Sequence, residues 1–295
     1  MAMSEGHVTT DDGVRLFYRK VGSGPRAVLI PNGFYLFEDF EYLGKERTLV
    51  FFDLRNRGRS DQVSDGSRLA RGIHHDVDDM DTIRRHLGFE RVGAIGHSYV
   101  GMTVVLYAVK YPDAVDRLVQ IGAIAPSQSK VYPPHLTNVD TTLRDTLARL
   151  AELEKERQLL DPKQLCQKFW SVLAPIYVAD PADAHKIKWS RCDLPNELNF
   201  MKYWLEHLLP SIQKVNFTAE EAARVQSPVL TVHGTKDRSA PYGGGRDWAS
   251  MLPNARLLTV EHAAHAPWIE APELVFSSIR TFLDGEWPEA AETAR

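Results

Sequence analysis

The sequence predicts an α/β protein, a mostly parallel eight-stranded sheet flanked by helices and interrupted by one helical insertion. Three observations carry this. Short apolar runs rich in β-branched residues alternate with amphipathic stretches. The central runs are apolar almost without a break, as in strands covered on both faces. One interval, 127–216, has helical periodicity and no strand signal.

Taken in order, His7 to Thr10 and Val14 to Val21 flank Asp11-Asp12-Gly13, a hairpin signal that makes the first pair antiparallel. Six more strands are expected at Ala27 to Pro31, Thr48 to Asp53, Arg91 to Gly96, Arg117 to Ala123, Pro228 to His233 and Arg256 to Val260. Ile73, Val77, Met80, Ile83 and Leu87 recur at spacings of four and three, forming one stripe of a helix that Gly88 ends. The other face holds Asp76, Asp78, Asp79, Arg84 and Arg85 and reads as solvated. Met102 to Val109 is apolar all round, a helix buried against the sheet. Leu274 to Leu283 is the last amphipathic helix, and 285–295 reads as a frayed polar tail.

Of the 295 residues, 43% are hydrophobic and 25% charged, values that exclude disorder and a membrane-embedded bulk. Thirty-five Lys and Arg against 39 Asp and Glu give a net charge of -4, with no long run of either sign. Neither a nucleic-acid groove nor a membrane-binding patch has a footprint. Met1 to Gly6 lacks the basic segment and apolar core of a signal peptide, so a cytoplasmic protein is expected. Cys166 and Cys192 are the only cysteines, without C-x-x-C spacing or a neighbouring His cluster. No metal site is expected from them. One disulfide is open to the pair, but the reading adopted is two free thiols.

The chemistry is concentrated where the strand Arg91 to Gly96 enters Gly96-His97-Ser98-Tyr99-Val100-Gly101 and then the apolar helix. A serine at such a turn stands at the sheet's carboxyl edge beside a helix N-terminus. A capping serine is the simpler alternative, but capping does not require a small neighbour such as Gly96. Val100 occupies the position where Gly-x-Ser-x-Gly expects its last glycine. Asp237 then follows the strand ending at His233, and His265 follows the strand ending at Val260. A serine hydroxyl needs an imidazole base to become a nucleophile, and the base needs a carboxylate to fix its tautomer.

With these residues in view, the chain resembles the α/β-hydrolase superfamily, lidded serine esterase branch, over most of residues 7 to 284. Gly96-His97-Ser98-Tyr99 resembles the nucleophile elbow, and Asp53-Leu54-Arg55-Asn56-Arg57-Gly58-Arg59-Ser60-Asp61 the family's turn after its fourth strand. His233-Gly234-Thr235-Lys236-Asp237 resembles the acid loop, and Ala264-His265-Ala266-Pro267 with Glu270 and Pro272 the histidine loop. The resemblance implies Ser98 as nucleophile, His265 as general base and Asp237 as acid, ahead of the rivals His262 and Asp247. It implies an oxyanion hole from the amides of Tyr99 and Phe34, with Asn32 where the family commonly has histidine. It also implies a core of 1–126 and 217–295 under a cap of 127–216.

The expected activity is carboxylesterase-like acyl transfer to water, with no cofactor and a small-molecule ester or acyl partner. Pocket candidates are Asn32, Tyr35, Trp204 and Trp268, while Trp170, Tyr177, Trp189, Phe200 and Tyr203 read as internal packing of the insertion. Epoxide hydrolases and haloalkane dehalogenases place aspartate at the elbow, so Ser98 argues against both. A proline iminopeptidase-like aminopeptidase using Glu197 and Glu206 is the alternative. Carbon–carbon bond hydrolysis, lactone or thioester opening, acyl transfer to an alcohol and a ligand-binding receptor also suit the same triad. Oligomeric state is not legible.

Overall fold

The computed structural model describes residues 2–189 and 191–294. Its strands are β1 Met3–Thr9, β2 Arg15–Val21, β3 Ala27–Pro31, β4 Thr48–Phe52, β5 Val92–His97, β6 Val115–Ile121, β7 Val229–Gly234, β8 Ala255–Val260 and β9 Ala291–Glu292. They form one sheet in the order β1-β2-β4-β3-β5-β6-β7-β8-β9. From β3 to β8 all pairings are parallel, and β1, β2 and β9 pair antiparallel at the edges.

The helices before the excursion are α1 Gly33–Phe40, α2 Ile73–His86 and α3 Tyr99–Lys110. Within it lie α4 Thr141–Glu156, α5 Pro162–Leu173, α6 Pro195–Leu198, α7 Phe200–Tyr203 and α8 Leu209–Gln213, with a π-helical turn over Trp204–Leu208. After it come α9 Ala219–Arg224, α10 Tyr242–Met251, α11 Pro267–Glu270 and α12 Pro272–Asp284. None is long and apolar enough to cross a membrane, among the described residues.

Side-chain alternation along the strands builds two apolar layers. Leu29, Val50 and Phe52 face α2 and α3, where Ile73, Val77, Met80 and Val104 are buried. Val28, Ile30, Leu49 and Phe51 face α1 and α12, where Leu36, Phe40, Val275 and Phe282 are buried. Between β6 and β7 the chain leaves the sheet, and an isolated antiparallel bridge between Ser127 and Asn216 ties the two ends of the excursion together.

Four expectations need correction. The first strand begins at Met3 rather than His7, because it is an edge strand exposed along most of its length and so carries no apolar signal. The sheet has nine strands, not eight: the supposed frayed tail returns, Ala291 pairs with Leu258 and is buried, and Trp287 packs on Phe282. Arg295, its last residue, lies outside the described residues. The charged face of α2 is not solvated as a whole, since Asp76 and Asp79 are both buried. Asp79 is paired bidentately with Arg55, at 2.8 Å to Nε and 2.6 Å to Nη2. Asp76 has no hydrogen-bond partner among the described residues, and burial, with Asp79 nearby, raises its pKa well above the carboxylate range. The fourth correction is covalent: Cys166 in α5 and Cys192 form a disulfide rather than two free thiols. Their separation of 26 residues in a helical interval carries no sequence signal for pairing.

Candidate active site

Six parallel strands place their carboxyl ends along one edge, and the strand order reverses between β3 and β5. Open α/β sheets form their binding crevice at such a reversal. The turn after β5 is strained: Ser98 has φ 60° and ψ -129°, a conformation that side chains with a Cβ rarely adopt. Its amide is held by the carbonyl of Ile121, at 2.9 Å.

Close packing explains the spacing of the small residues around it. A Cβ at Gly96 would fall 2.3 Å from the Val100 carbonyl oxygen, and one at Gly101 would fall 2.7 Å from Ala123 Cβ. Val100 itself is buried in the apolar layer. The backbone therefore needs glycine at 96 and 101, and the elbow forms with valine between them.

Beyond β7, Asp237 is buried with every carboxylate position engaged. Its Oδ1 accepts from the amides of Ser239 and Ala240, at 2.8 and 2.7 Å. Its Oδ2 accepts from His265 Nδ1 at 2.8 Å and lies 3.3 Å from His233 Nε2. Burial alone would raise its pKa, but the imidazoles of His265 and His233 and their hydrogen bonds hold it well below the usual carboxylate range. Gly122, after β6 with φ 51°, makes room for this pair. A Cβ there would come 3.0 Å from His265 Nδ1 and 3.3 Å from Asp237 Oδ2. The rivals lie elsewhere: His262 is exposed, and Asp247 is engaged by Lys130 and Tyr132, at 2.6 Å each.

His97, next to Ser98, was not singled out in the sequence, yet it joins the elbow to the histidine loop. Its Nε2 lies 3.0 Å from the His265 carbonyl oxygen, which can only accept, so Nε2 carries the proton. Its Nδ1 therefore accepts from the Tyr35 hydroxyl, at 3.2 Å. Burial and the adjacent His265 push its pKa well below the ordinary histidine value, which keeps it neutral beside the candidate base.

Ser98 and His265 open onto one cavity of about 280 Å³. No hydrogen bond joins the Ser98 hydroxyl to His265 among the described residues, an arrangement common in free sites, where such bonds tighten on substrate binding. Asn32, Tyr35, Tyr99 and Trp204 line the same cavity. Asn32 adopts φ 56° and ψ 39°, and its Nδ2 donates to the Tyr99 hydroxyl at 3.0 Å, a bond that ties the loop after β3 to the start of α3. The amides of Phe34 and Tyr99 fall in the first turns of α1 and α3, where N–H groups have no intrahelical acceptor.

Two pocket expectations change. Trp268 is buried and does not line the cavity; it stacks on Trp189 and donates to Asp39 at 2.9 Å. The packing reading of the insertion's aromatics holds for Tyr203, whereas Trp170, Tyr177, Trp189 and Phe200 form cavity wall beside Trp204, with Leu150, Phe169, Leu173, Met201 and Leu205. Periodicity marks both kinds of residue as inward-facing and cannot say which interior they face.

Arg57 is the one lysine or arginine on that wall among the described residues. Its guanidinium lies over the Phe200 ring at 3.8 Å and pairs with buried Glu197, Nε to Oε1 at 3.0 Å and Nη2 to Oε2 at 3.1 Å. Glu197 also accepts from the Gly58 amide at 2.9 Å, so its carboxylate is fully used. Glu206 borders a different depression, with Asn56 and His207. Replacing Glu197 by leucine leaves the Arg57 charge buried and unpaired, and is expected to cost about 3–5 kcal/mol of stability. Adding Arg57→Met should recover most of that loss in urea unfolding. A double-variant loss equal to the sum of the Glu197→Leu and Arg57→Met losses would show that the two charges are not coupled.

Comparison with known proteins agrees with the topology. The family model described as alpha/beta hydrolase fold matches residues 30–272. The chain is 26% identical over 289 residues to the bifunctional esterase/perhydrolase DCH of Acinetobacter calcoaceticus, covering 94% of this chain and 99% of that one. It is 27% identical to the proline iminopeptidase PfmaB of Pestalotiopsis fici, covering 92% and 97%. Among solved structures it is similar to the esterase EaEST from Exiguobacterium antarcticum, with a TM-score of 0.72 at 16% identity over 95% of this chain and 99% of that one. On sheet order, elbow and family match together, the chain belongs to the alpha/beta hydrolase fold family.

Proposed function

We propose that the protein is a serine hydrolase that cleaves small, uncharged carboxylic esters through an acyl-enzyme. The observation that carries this reading is the buried Asp237–His265 hydrogen bond of 2.8 Å beside a cavity shared by His265 and Ser98. In the proposed reaction Ser98 Oγ attacks the ester carbonyl while His265 Nε2 takes the hydroxyl proton. The oxyanion is stabilised by the amides of Phe34 and Tyr99, and removal of one such donor typically costs about a hundred- to a thousand-fold. The C–O bond to the alcohol then breaks and His265 returns the proton to the leaving oxygen. Water, deprotonated by His265, attacks the acyl-enzyme, and collapse of that intermediate frees the carboxylic acid and Ser98.

The excursion 127–216 serves in this reading as the cap and roof of the site, because it supplies most of the apolar wall. That wall favours an apolar acyl or alcohol group. Aminopeptidase action draws support from one relative's name, but it needs an acidic group for a substrate amine. Neither Glu197 nor Glu206 lines the cavity.

The test is a chain-length series of p-nitrophenyl esters run beside a proline arylamide and a lactone, with a fluorophosphonate probe to trap the nucleophile. The expected result is ester turnover exceeding arylamide turnover and a probe adduct on the peptide containing Ser98. Preferred cleavage of the arylamide, or an adduct elsewhere, would overturn it.

A further inference from the structure

Three residues of the excursion, Tyr177 to Ala179, touch both loops that carry the candidate acid and base. Next to Asp237, the Arg238 guanidinium donates from Nη1 to the Val178 carbonyl at 2.6 Å and from Nη2 to the Ala179 carbonyl at 3.0 Å. Its Nε donates to Asp140 at 2.8 Å, and the side chain is only 6% exposed. From the other side, Glu270 Oε1 accepts from the Ala179 amide and Oε2 from the Ala264 amide, both at 2.7 Å. The Ala266 amide donates to the Tyr177 carbonyl at 3.0 Å, and the Tyr177 ring stacks on His265 at 5.1 Å. Both amides flanking His265 thus depend on these contacts.

His265 lies in a stretch between β8 and α11 that has no regular structure of its own. A general base must meet its proton donor within about 2.6–3.2 Å, so something outside that loop has to fix it. We propose that Arg238 and Glu270 clamp segment Tyr177–Ala179 onto the acid and histidine loops, making this segment a positioning element for His265. The inference rests on the esterase reading. It implies that the base is in place only while the segment is seated, so the element that roofs the cavity also completes the catalytic geometry. Glu270 and Arg238 are positioning residues here, since neither lines the cavity.

The experiment uses the full chain with Glu270→Gln, Arg238→Met and the double variant. Glutamine keeps the shape of Glu270 but turns one acceptor into a donor facing an N–H, so one of the two bonds is lost. Each single variant is expected to lower kcat about a hundred-fold, the cost of misplacing a catalytic group by roughly 1 Å, with KM little changed. The double variant should cost little more than the worse single one, because both residues hold one segment. Amide hydrogen exchange at 177–179 and 263–266 should accelerate in all three, and the low-field Nδ1 proton of His265 should weaken. Unchanged exchange would overturn the proposal whatever the activity. Faster exchange with kcat per folded molecule unchanged, or strictly additive losses, would reduce the contacts to cap attachment and overturn it as well. A wild type inactive on every ester would instead overturn the esterase reading, and exchange with the His265 proton signal would judge the clamp alone.

Discussion

Replacing Ser98 by alanine is expected to lower kcat for a short ester by roughly a million-fold, the scale seen when a catalytic serine is removed from a comparable triad. KM should stay near the wild-type value, because the apolar wall and the amides of Phe34 and Tyr99 are untouched. The fold should also be retained. Alanine keeps the Cβ that strains the turn at φ 60° and ψ -129°, and the Ser98 main-chain bond to Ile121 needs no side chain. Glycine at the same position separates activity from strain. Ser98→Gly loses the hydroxyl too, yet relieves a conformation that costs on the order of 1–3 kcal/mol, so its melting temperature should exceed that of Ser98→Ala. Residual turnover above about a thousandth of wild type in either variant would mean that another group attacks the ester.

The elbow shows which parts of the site are legible in a sequence. Ser98, Asp237 and His265 each follow a strand whose apolar run is unmistakable, so chain order alone locates them at one edge of the sheet. Val100 looked like a defect because a motif counts positions, whereas packing counts distances. The close approaches fall at Gly96 and Gly101. The partners of His97, Arg238 and Glu270 were illegible for another reason. Each bonds a main-chain atom of a residue far along the chain, and a backbone carbonyl or amide leaves no mark on the identity of the residue that carries it.

Burial of charge was the other blind spot. On α2 the apolar stripe is legible, yet Asp79 beside it is sealed against Arg55, and Asp76 is enclosed without a partner among the described residues. The solvent side of α2 runs through His74, Asp78, Thr82 and Arg85. Asp76, three residues after Ile73 and four before Met80, lies on the buried side, and hydropathy cannot report a neighbour supplied by a different segment. The same logic applies to the excursion, where Glu197 reads as a candidate partner for a substrate amine, while its actual partner, Arg57, arrives from the loop after β4.

Replacing Asp237 by asparagine should reduce kcat about ten-thousand-fold, as in the worked case where a triad histidine is left in the wrong tautomer. The hydrogen bonds dictate which way the amide turns. Oδ1 faces two N–H groups, from Ser239 and Ala240, so the asparagine oxygen must stay there. Its Nδ2 then occupies the place of Oδ2 and presents a donor to His265 Nδ1. The imidazole can accept that bond only by moving its proton to Nε2, the atom that in the proposed reaction receives the proton of Ser98. The same Nδ2 also meets His233 Nε2, 3.3 Å from the original oxygen. KM should be nearly unchanged, and circular dichroism should report a folded chain. Stability should respond to pH in a defined direction. The depressed Asp237 pKa stabilises the native state fully above the unfolded carboxyl value of about 3.9, and that contribution is lost as pH falls below it. The stability gap between wild type and Asp237→Asn should therefore narrow on acidification below about pH 4. A kcat loss under tenfold, or a gap that widens in acid, would move the orienting carboxylate to another residue.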